Sequence, residues 1–433
     1  MSAEVVGMIG MAGLVVMILC RIPVAIALGL VGLVGYAVLQ GWAKAALVFG
    51  AVPLELASAY TLSVVPLFVL MGALATTAGL SADLFRAANA MFMGVRGSLA
   101  MAAIGASAAF GAVCGSSVAT AATMGRVSIP EMLKAGYDHG LAAGAVAAGG
   151  TLGILIPPSL VLMVYGLIAQ LSVAKLFAAA MVPGLVLTVL YIVVVRIMVA
   201  LRPERAPRLP TQGLATIPKT LLRIWHVVLL FGVTLGGIYL GWFSPTEAAA
   251  VGAFGALVLG VALRRLGRAE AVRTFGETVR VVATFTIIIM GATLFSYFVV
   301  QTGIARTIVD WIAGLGIPPL GVMLALIVFY IVLGCFLEGI GMVLVTVPVL
   351  LPLVTANGYD PIWFGVLLVI VIEIGLIHPP VGMNLFVIRS QAPEIALKDM
   401  YWGVLPYLAA PFVLIALLLA FPGLALWLPG QMR

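Results

Sequence analysis

The sequence predicts an all-α polytopic membrane protein assembled from an inverted repeat, with two re-entrant hairpins and two broken helices. Composition is the first ground: of 433 residues, 64% are hydrophobic and only 9% charged, whereas a soluble domain carries about a quarter charged residues. The second ground is the form of the apolar runs. Several are interrupted mid-span by Gly-Ser or Pro-Pro, and such breaks at membrane depth expose backbone groups that lipid cannot satisfy. The third is self-similarity. A shift of 222 positions carries Pro130 onto Pro352, Gly136-Tyr137-Asp138 onto Gly358-Tyr359-Asp360, Gly153 onto Gly375, and Pro157-Pro158 onto Pro379-Pro380.

The chain begins with crossings at 4–20 and 22–40, a weaker, partly amphipathic segment at 43–60 holding Lys44 and Glu55, and a strong run at 62–79. The first positive charge is Arg21; a secretory signal puts its positive region before the apolar run, so residues 4–20 read as a retained helix. Residues 83–96 place Leu84, Ala88, Met91, Phe92 and Val95 on one face and Arg86, Asn89 and Arg96 on the other, the pattern of a helix lying in the membrane plane. Between Arg96 and Arg126 stand 29 uncharged residues. As one helix they would span about 44 Å, too long for a hydrocarbon core of about 30 Å. Gly111, Gly115, Ser116 and Ser117 interrupt the middle, and basic residues flank both ends. A re-entrant hairpin satisfies all of this.

Residues 139–170 cross with a break at Pro157-Pro158, and 176–198 cross again. The loop from Arg196 to Arg223 carries Arg196, Arg202, Arg205, Arg208, Lys219 and Arg223, which marks it as cytoplasmic. Runs at 225–242 and 247–263 are joined by Ser244-Pro245-Thr246-Glu247, a helix start with Ser at the cap, Pro in the first turn and Glu at the third position. A charged amphipathic segment with Arg264, Arg265, Arg268, Arg273 and Arg280 follows, then a run at 281–300. Residues 303–315 form a second in-plane helix, with Ile304, Ile308, Trp311, Ile312 and Leu315 opposite Arg306 and Asp310. A second hairpin occupies 317–355, broken near Glu338-Gly339-Ile340-Gly341; 362–388 is broken at His378-Pro379-Pro380; and 402–428 is the last crossing.

Counted from the cytoplasmic loop, the first hairpin opens inside, the second outside, and the N-terminus is periplasmic. Charge agrees: Arg86, Arg96, Arg126 and Lys134 accompany the first copy and Arg306 alone the second, as expected of inverted repeats. The net charge of +7 is read as this topology signal instead of a nucleic-acid footprint.

Paired broken segments are the best sequence pointer to a transporter binding site. Short-helix N-termini attract an anion, and unwound carbonyls and hydroxyls are hard ligands suited to sodium. The candidates in the first half are Gly115, Ser116, Ser117, Thr120, Gly150 and Thr151 beside Pro157 and Pro158. In the second they are Gly339, Gly341, Thr346, Met383 (through its backbone) and Asn384 beside Pro379 and Pro380. Glu338, Glu373 and His378 are ionisable groups inside apolar runs, functional candidates by default; a proton relay and a hydrogen bond to a broken helix both fit Glu373 and His378. The Tyr-Asp pairs at 137–138 and 359–360 read as turn and cap residues. For Gly29, Gly50 and Gly236 close helix packing is the reading. Cys20, Cys114 and Cys335 lie in apolar runs without CxxC spacing, so neither disulfides nor a zinc site is expected. No Lys follows a Gly, and HExxH and G-x-S-x-G are absent, which speaks against ATP hydrolysis and these enzyme classes. No cofactor is expected beyond sodium as coupling ion.

Four stretches carry a resemblance: GAVCGSSVATAATMGRVSIPEM at 111–132, GGTLGILIPPS at 149–159, GWFSPTEAAAVGA at 241–253 and EIGLIHPPVGMNLFVI at 373–388. They resemble the large membrane subunit of tripartite ATP-independent periplasmic (TRAP) transporters, over essentially the whole chain. The resemblance implies an elevator-type, sodium-driven importer of an organic acid (a dicarboxylate, sialic acid or similar carboxylate) in the bacterial inner membrane. It implies delivery by a periplasmic binding protein and a small four-helix membrane subunit, here expected as a separate chain. It divides the chain into 1–97 (scaffold and first arm), 98–170 (transport domain, first half), 171–316 (scaffold, loop and second arm), 317–390 (transport domain, second half) and 391–433 (C-terminal scaffold helix). Two further readings are a stand-alone carboxylate symporter of related architecture and a structural or proton-conducting subunit. The second would need charges continuing from helix to helix across the mid-plane, and only Glu338, Glu373 and His378 lie deep in apolar runs.

Overall fold

The computed structural model describes residues 2–208, 222, 224–335, 337–379 and 382–432. The chain is helical throughout them. The helices are α1 Ala3–Leu19, α2 Val24–Gln40, α3 Trp42–Ser58, α4 Val64–Thr77, α5 Leu80–Phe92, α6 Ser98–Cys114 and α7 Ser117–Lys134. Then come α8 His139–Leu155, α9 Leu160–Ile168, α10 Val173–Leu201, α11 Trp225–Tyr239, α12 Pro245–Ala262, α13 Arg268–Thr302 and α14 Ile304–Gly314. The last are α15 Pro319–Gly334, α16 Gly339–Ala356, α17 Pro361–Ile377, α18 Met383–Gln391, α19 Leu397–Val404, α20 Ala409–Ala420 and α21 Gly423–Gln431. Among the described residues six helical runs are long and apolar enough to cross a membrane, or seven if α4 and α5, bent by 68°, count as one. The chain is a multi-pass membrane protein.

Two helices are buried on every side, α8 from Gly140 onward and α17 from Trp363 onward. A helix apolar all round belongs at a centre, and these two are the counterparts under the 222-residue shift. Around α8 the sequence is Ala- and Gly-rich, which lets neighbours approach closely without a Cβ in the way. A Cβ at Gly144 would overlap the carbonyl of Gly403, and one at Gly111 would stand 2.7 Å from the Cα of Gly153. The helices sort into two packed groups. One holds α1 to α4 with α11 to α13; the other holds α6 to α10 with α15 to α21.

The same contacts fix helix direction. Along α6, Ser107 meets Gly149 of α8 and Gly111 meets Gly153, so α6 and α8 run the same way. Along α7, Ala121 meets Gly150 and Gly125 meets Val146, so α7 runs the other way. Helices α6 and α7 are therefore an antiparallel pair that turns back at Gly115-Ser116. In the second half Tyr330 Oη donates to Thr346 Oγ1 at 2.8 Å, and Gly334 lies against Met342. Later residues of α15 thus meet earlier residues of α16, and this pair turns back as well.

Several expectations change. The charged segment after Arg264 and the run at 281–300 are one 35-residue helix, α13. It contains no Pro, and its two glycines, Gly276 and Gly291, cost only about 1 kcal/mol each of helix propensity. The first amphipathic helix spans Leu80–Phe92, not 83–96, because Gly94 and Gly97 adopt φ values of +79° and +81°. Val95 thus lies beyond the helix, and Met91, assigned to the apolar face, is 63% exposed. A second amphipathic helix stands over Ile304–Gly314, where the pattern of 303–315 puts one. Gly29 makes ordinary contact with Gly291, whereas Gly50 and Gly236 meet nothing within 4 Å among the described residues. The basic loop beyond Arg208, with Lys219 and Arg223, lies outside the described residues.

Candidate functional site

The first tip is built by Gly115 and Ser116. Gly115 ends α6 with φ +69°, and a Cβ there would stand 2.8 Å from the Pro158 carbonyl oxygen; only glycine takes that conformation at that distance without strain. Its carbonyl accepts from the Leu160 N–H at 3.2 Å, tying the tip to the break after Pro157-Pro158. Ser116 caps α7, its hydroxyl accepting from Ala119 N–H at 3.4 Å, and Ser159 caps α9 in the same way. Both prolines are buried in the break.

Each tip reaches into the opposite half. Ser117, at the start of α7, accepts from the Asn384 side-chain amide at 2.9 Å and donates to the Glu373 carboxylate at 3.2 Å. In the second half, Gly339 starts α16 against Ile372 of α17, and a Cβ there would stand 3.7 Å from Val161 of α9. Ser117 and Gly339 are counterparts under the repeat, so the inter-half contact is polar at one place and apolar at the other.

The polar place is buried and incompletely satisfied. Ser117, Thr120, Glu373 and Asn384 are all under 4% exposed. Among the described residues, Thr120 Oγ1, Glu373 Oε1 and Asn384 Oδ1 have no hydrogen-bond partner. Buried polar atoms without partners are rare and call for an explanation. Here they are oxygens, two of them pure acceptors. Gly150 keeps the site compact, since a Cβ there would fall 2.7 Å from Ala121 Cβ and 3.3 Å from Asn384 Nδ2.

Other candidates stand apart. Thr151 donates to the Ala148 carbonyl and pairs with Tyr191 Oη at 3.0 Å, facing α10. Thr346 is engaged with Tyr330 and with the Met342 carbonyl inside the second pair. Gly341 is buried with Val24 of α2 at 3.6 Å from an added Cβ. Glu338, grouped with the deep ionisable residues, is exposed at the second tip. His378 caps α17 with Nδ1 buried and unpartnered, and Glu373 bonds neither to it nor to the broken backbone but to Ser117. Met383 opens α18 after Gly382 at φ +61°; Pro379 is half-buried in the break, and Pro380 lies outside the described residues. Asp138 and Asp360 cap α8 and α17 as read from the sequence.

The sequence reading missed one charged cluster. Asp83 of α5, 7% exposed, pairs with Arg86, with Arg265 after α12, and with His226 Nε2 of α11 at 3.4 Å. His226 sits at the head of an apolar run, a signal that the rule on ionisable residues in such runs would have caught.

Comparison with known proteins extends this picture. The family described as "Tripartite ATP-independent periplasmic transporter, DctM component" matches residues 11–424. The C4-dicarboxylate TRAP transporter large permease protein DctM of Pseudomonas aeruginosa is 37% identical over 377 residues, 87% of this chain and 88% of that one. The sialic acid TRAP transporter large permease protein SiaM of Vibrio cholerae is 34% identical over 371 residues, 86% of each. Among solved structures, the Alcanivorax borkumensis YdaH transporter superposes with a TM-score of 0.57 at 14% identity, covering 83% of this chain and 85% of that one. At that identity the likeness is one of fold.

Proposed function

Since the chain belongs to the DctM-component family of tripartite ATP-independent periplasmic transporters, and is thus a membrane transporter subunit and not an enzyme, we propose that it imports an organic acid anion by sodium-coupled elevator transport. The anion, a dicarboxylate, sialic acid or similar carboxylate, arrives from a periplasmic binding protein, and a small four-helix membrane subunit completes the assembly. The setting is the bacterial inner membrane, with a periplasmic N-terminus. The two turned-back pairs are re-entrant hairpins in that membrane. Residues 98–170 and 317–390, around α8 and α17, carry the cargo, and α5 and α14 join them to the scaffold.

One observation carries the reading: among the described residues, two buried oxygens where the two halves meet, Glu373 Oε1 and Asn384 Oδ1, lack partners, as does Thr120 Oγ1 one turn along α7 from Ser117. A carboxylate sealed away from water costs several kcal/mol unless a cation or proton offsets it. Hard oxygen donors beside helix breaks fit sodium, which is cargo here. With sodium on the oxygens and the substrate carboxylate at the tips, the moving group approaches neutrality and can cross. Half-loaded, it retains a net charge, which makes crossing costly. The test is uptake by proteoliposomes supplied with the binding protein and the small subunit, with and without a sodium gradient. Ser116→Ala combined with Ser117→Ala abolishes sodium-dependent uptake while leaving the protein in the membrane. Unchanged uptake by the double variant would reject the site, and uptake that needs no binding protein would favour a stand-alone symporter.

A further inference from the structure

Away from the tips, a cleft of about 440 Å³ opens where the α5–α6 turn meets the end of α10. Three guanidinium groups line it from three elements: Arg96 of the turn, Arg196 of α10, and Arg208 of the segment that follows α10. Arg208 Nε also donates to the Gly94 carbonyl at 3.4 Å, which holds that segment over the turn. Among the described residues no acidic side chain lines the cleft, and none of the three arginines pairs with a carboxylate. Three like charges gathered without a counterion repel one another, and an anion between them relieves this.

Helix α10, which carries Arg196, also presents a row of exposed apolar residues. On α10, Leu185, Val189, Val193 and Ile197 recur every fourth residue and are 44–59% exposed, and Leu201 continues the row at 77%. Members of the row four apart are neighbours on a helix, so the row runs along α10 while winding slowly around it, and this helix is among those long and apolar enough to cross. Acyl chains laid on the row would bring a headgroup level with the arginines.

We propose that this cleft binds the phosphate of an anionic phospholipid, with the acyl chains along α10 and the phosphodiester held by Arg96, Arg196 and Arg208. Basic pockets beside membrane helices recognise lipid headgroups by this chemistry. A soluble phosphate offers the same oxygens but has no use for the row. The site is separate from the transport site, so its test does not depend on uptake.

Purified full-length protein in detergent is titrated with phosphatidylglycerol, phosphatidylcholine or inorganic phosphate, while retained lipid is read by native mass spectrometry and stability by thermal unfolding. Phosphatidylglycerol is expected to be retained and to raise the unfolding temperature, with phosphatidylcholine at least about tenfold weaker. Arg96→Gln with Arg196→Gln and Arg208→Gln should weaken phosphatidylglycerol about tenfold, whereas Arg268→Gln with Arg273→Gln, on exposed α13, should not. The single variant Arg96→Gln, at an exposed position, serves if the triple variant does not fold, with a loss of about threefold. Equal response to the two lipids, an equal loss in the α13 control, or a shift by inorganic phosphate as large as that by phosphatidylglycerol would overturn the proposal.

Discussion

Ser117 joins the halves of the repeat through a single hydroxyl, accepting from Asn384 and donating to Glu373. Removing that oxygen leaves a buried amide and a buried carboxylate without their shared partner, which costs about 1–3 kcal/mol. Ser117→Ala is therefore expected to lower thermal stability in detergent. A double-mutant cycle with Asn384→Ala should return a coupling energy of about 0.5–3 kcal/mol; strict additivity would mean that the two side chains do not interact in the folded protein. Both residues were visible in the sequence, Ser117 beside a glycine break and Asn384 after the second Pro-Pro. Their meeting was not, because 267 positions separate them and no local pattern records a contact between halves. Hydroxyls misled where helices supply their own acceptors. Thr346 and Thr151 bond to carbonyls four and three residues back and to tyrosines of neighbouring helices. Sequence position cannot tell a threonine that satisfies itself from one, like Thr120, that is left open.

At the scale of elements, glycine sorts into two kinds that look alike in sequence. Gly111 faces Gly153 backbone to backbone, whereas Gly232 of α11 meets nothing within 4 Å. Gly111→Ala forces α6 off α8 and should cost about 1–3 kcal/mol through overpacking, with loss of uptake because the first tip shifts with its helix. Gly232→Ala should be neutral, or stabilising by up to about 1 kcal/mol. Thermal unfolding of the two variants checks the contrast, and equal effects would contradict the packing around α8. The repeat itself, the Pro-Pro breaks, the aspartate caps and the Ser244–Glu247 capping box were all readable, because each is set within a few residues. Continuity of α13 was not, since a change from charged to apolar residues marks where a helix leaves water, not where it ends.

For the whole molecule, the proposed elevator needs one group of helices to move while the arms stay attached. Helix α5 leaves α4 at 68°, and Asp83 fastens it by accepting from Arg265, which also donates to the Ala78 carbonyl. His226 and Arg86 flank the same carboxylate. This ties the arm to α11 and α12, members of the group that does not hold the tips. Asp83→Asn keeps the shape of the side chain but removes the charge that Arg265 and Arg86 share. A hydrogen bond to a charged group is worth about 1.5–3 kcal/mol, and the exposure of Arg86 and Arg265, 63% and 38%, places the loss toward the lower end. If the arm serves as a fixed pivot, Asp83→Asn slows the maximal rate of uptake several-fold and leaves the half-saturating concentrations of substrate and sodium unchanged. Arg265→Gln has the same signature, and combining the two costs less than the sum, because each removes the same bond. Both quantities come from one set of initial-rate measurements in proteoliposomes. A change in half-saturation without a change in maximal rate would place Asp83 in the binding machinery and remove the pivot from the argument.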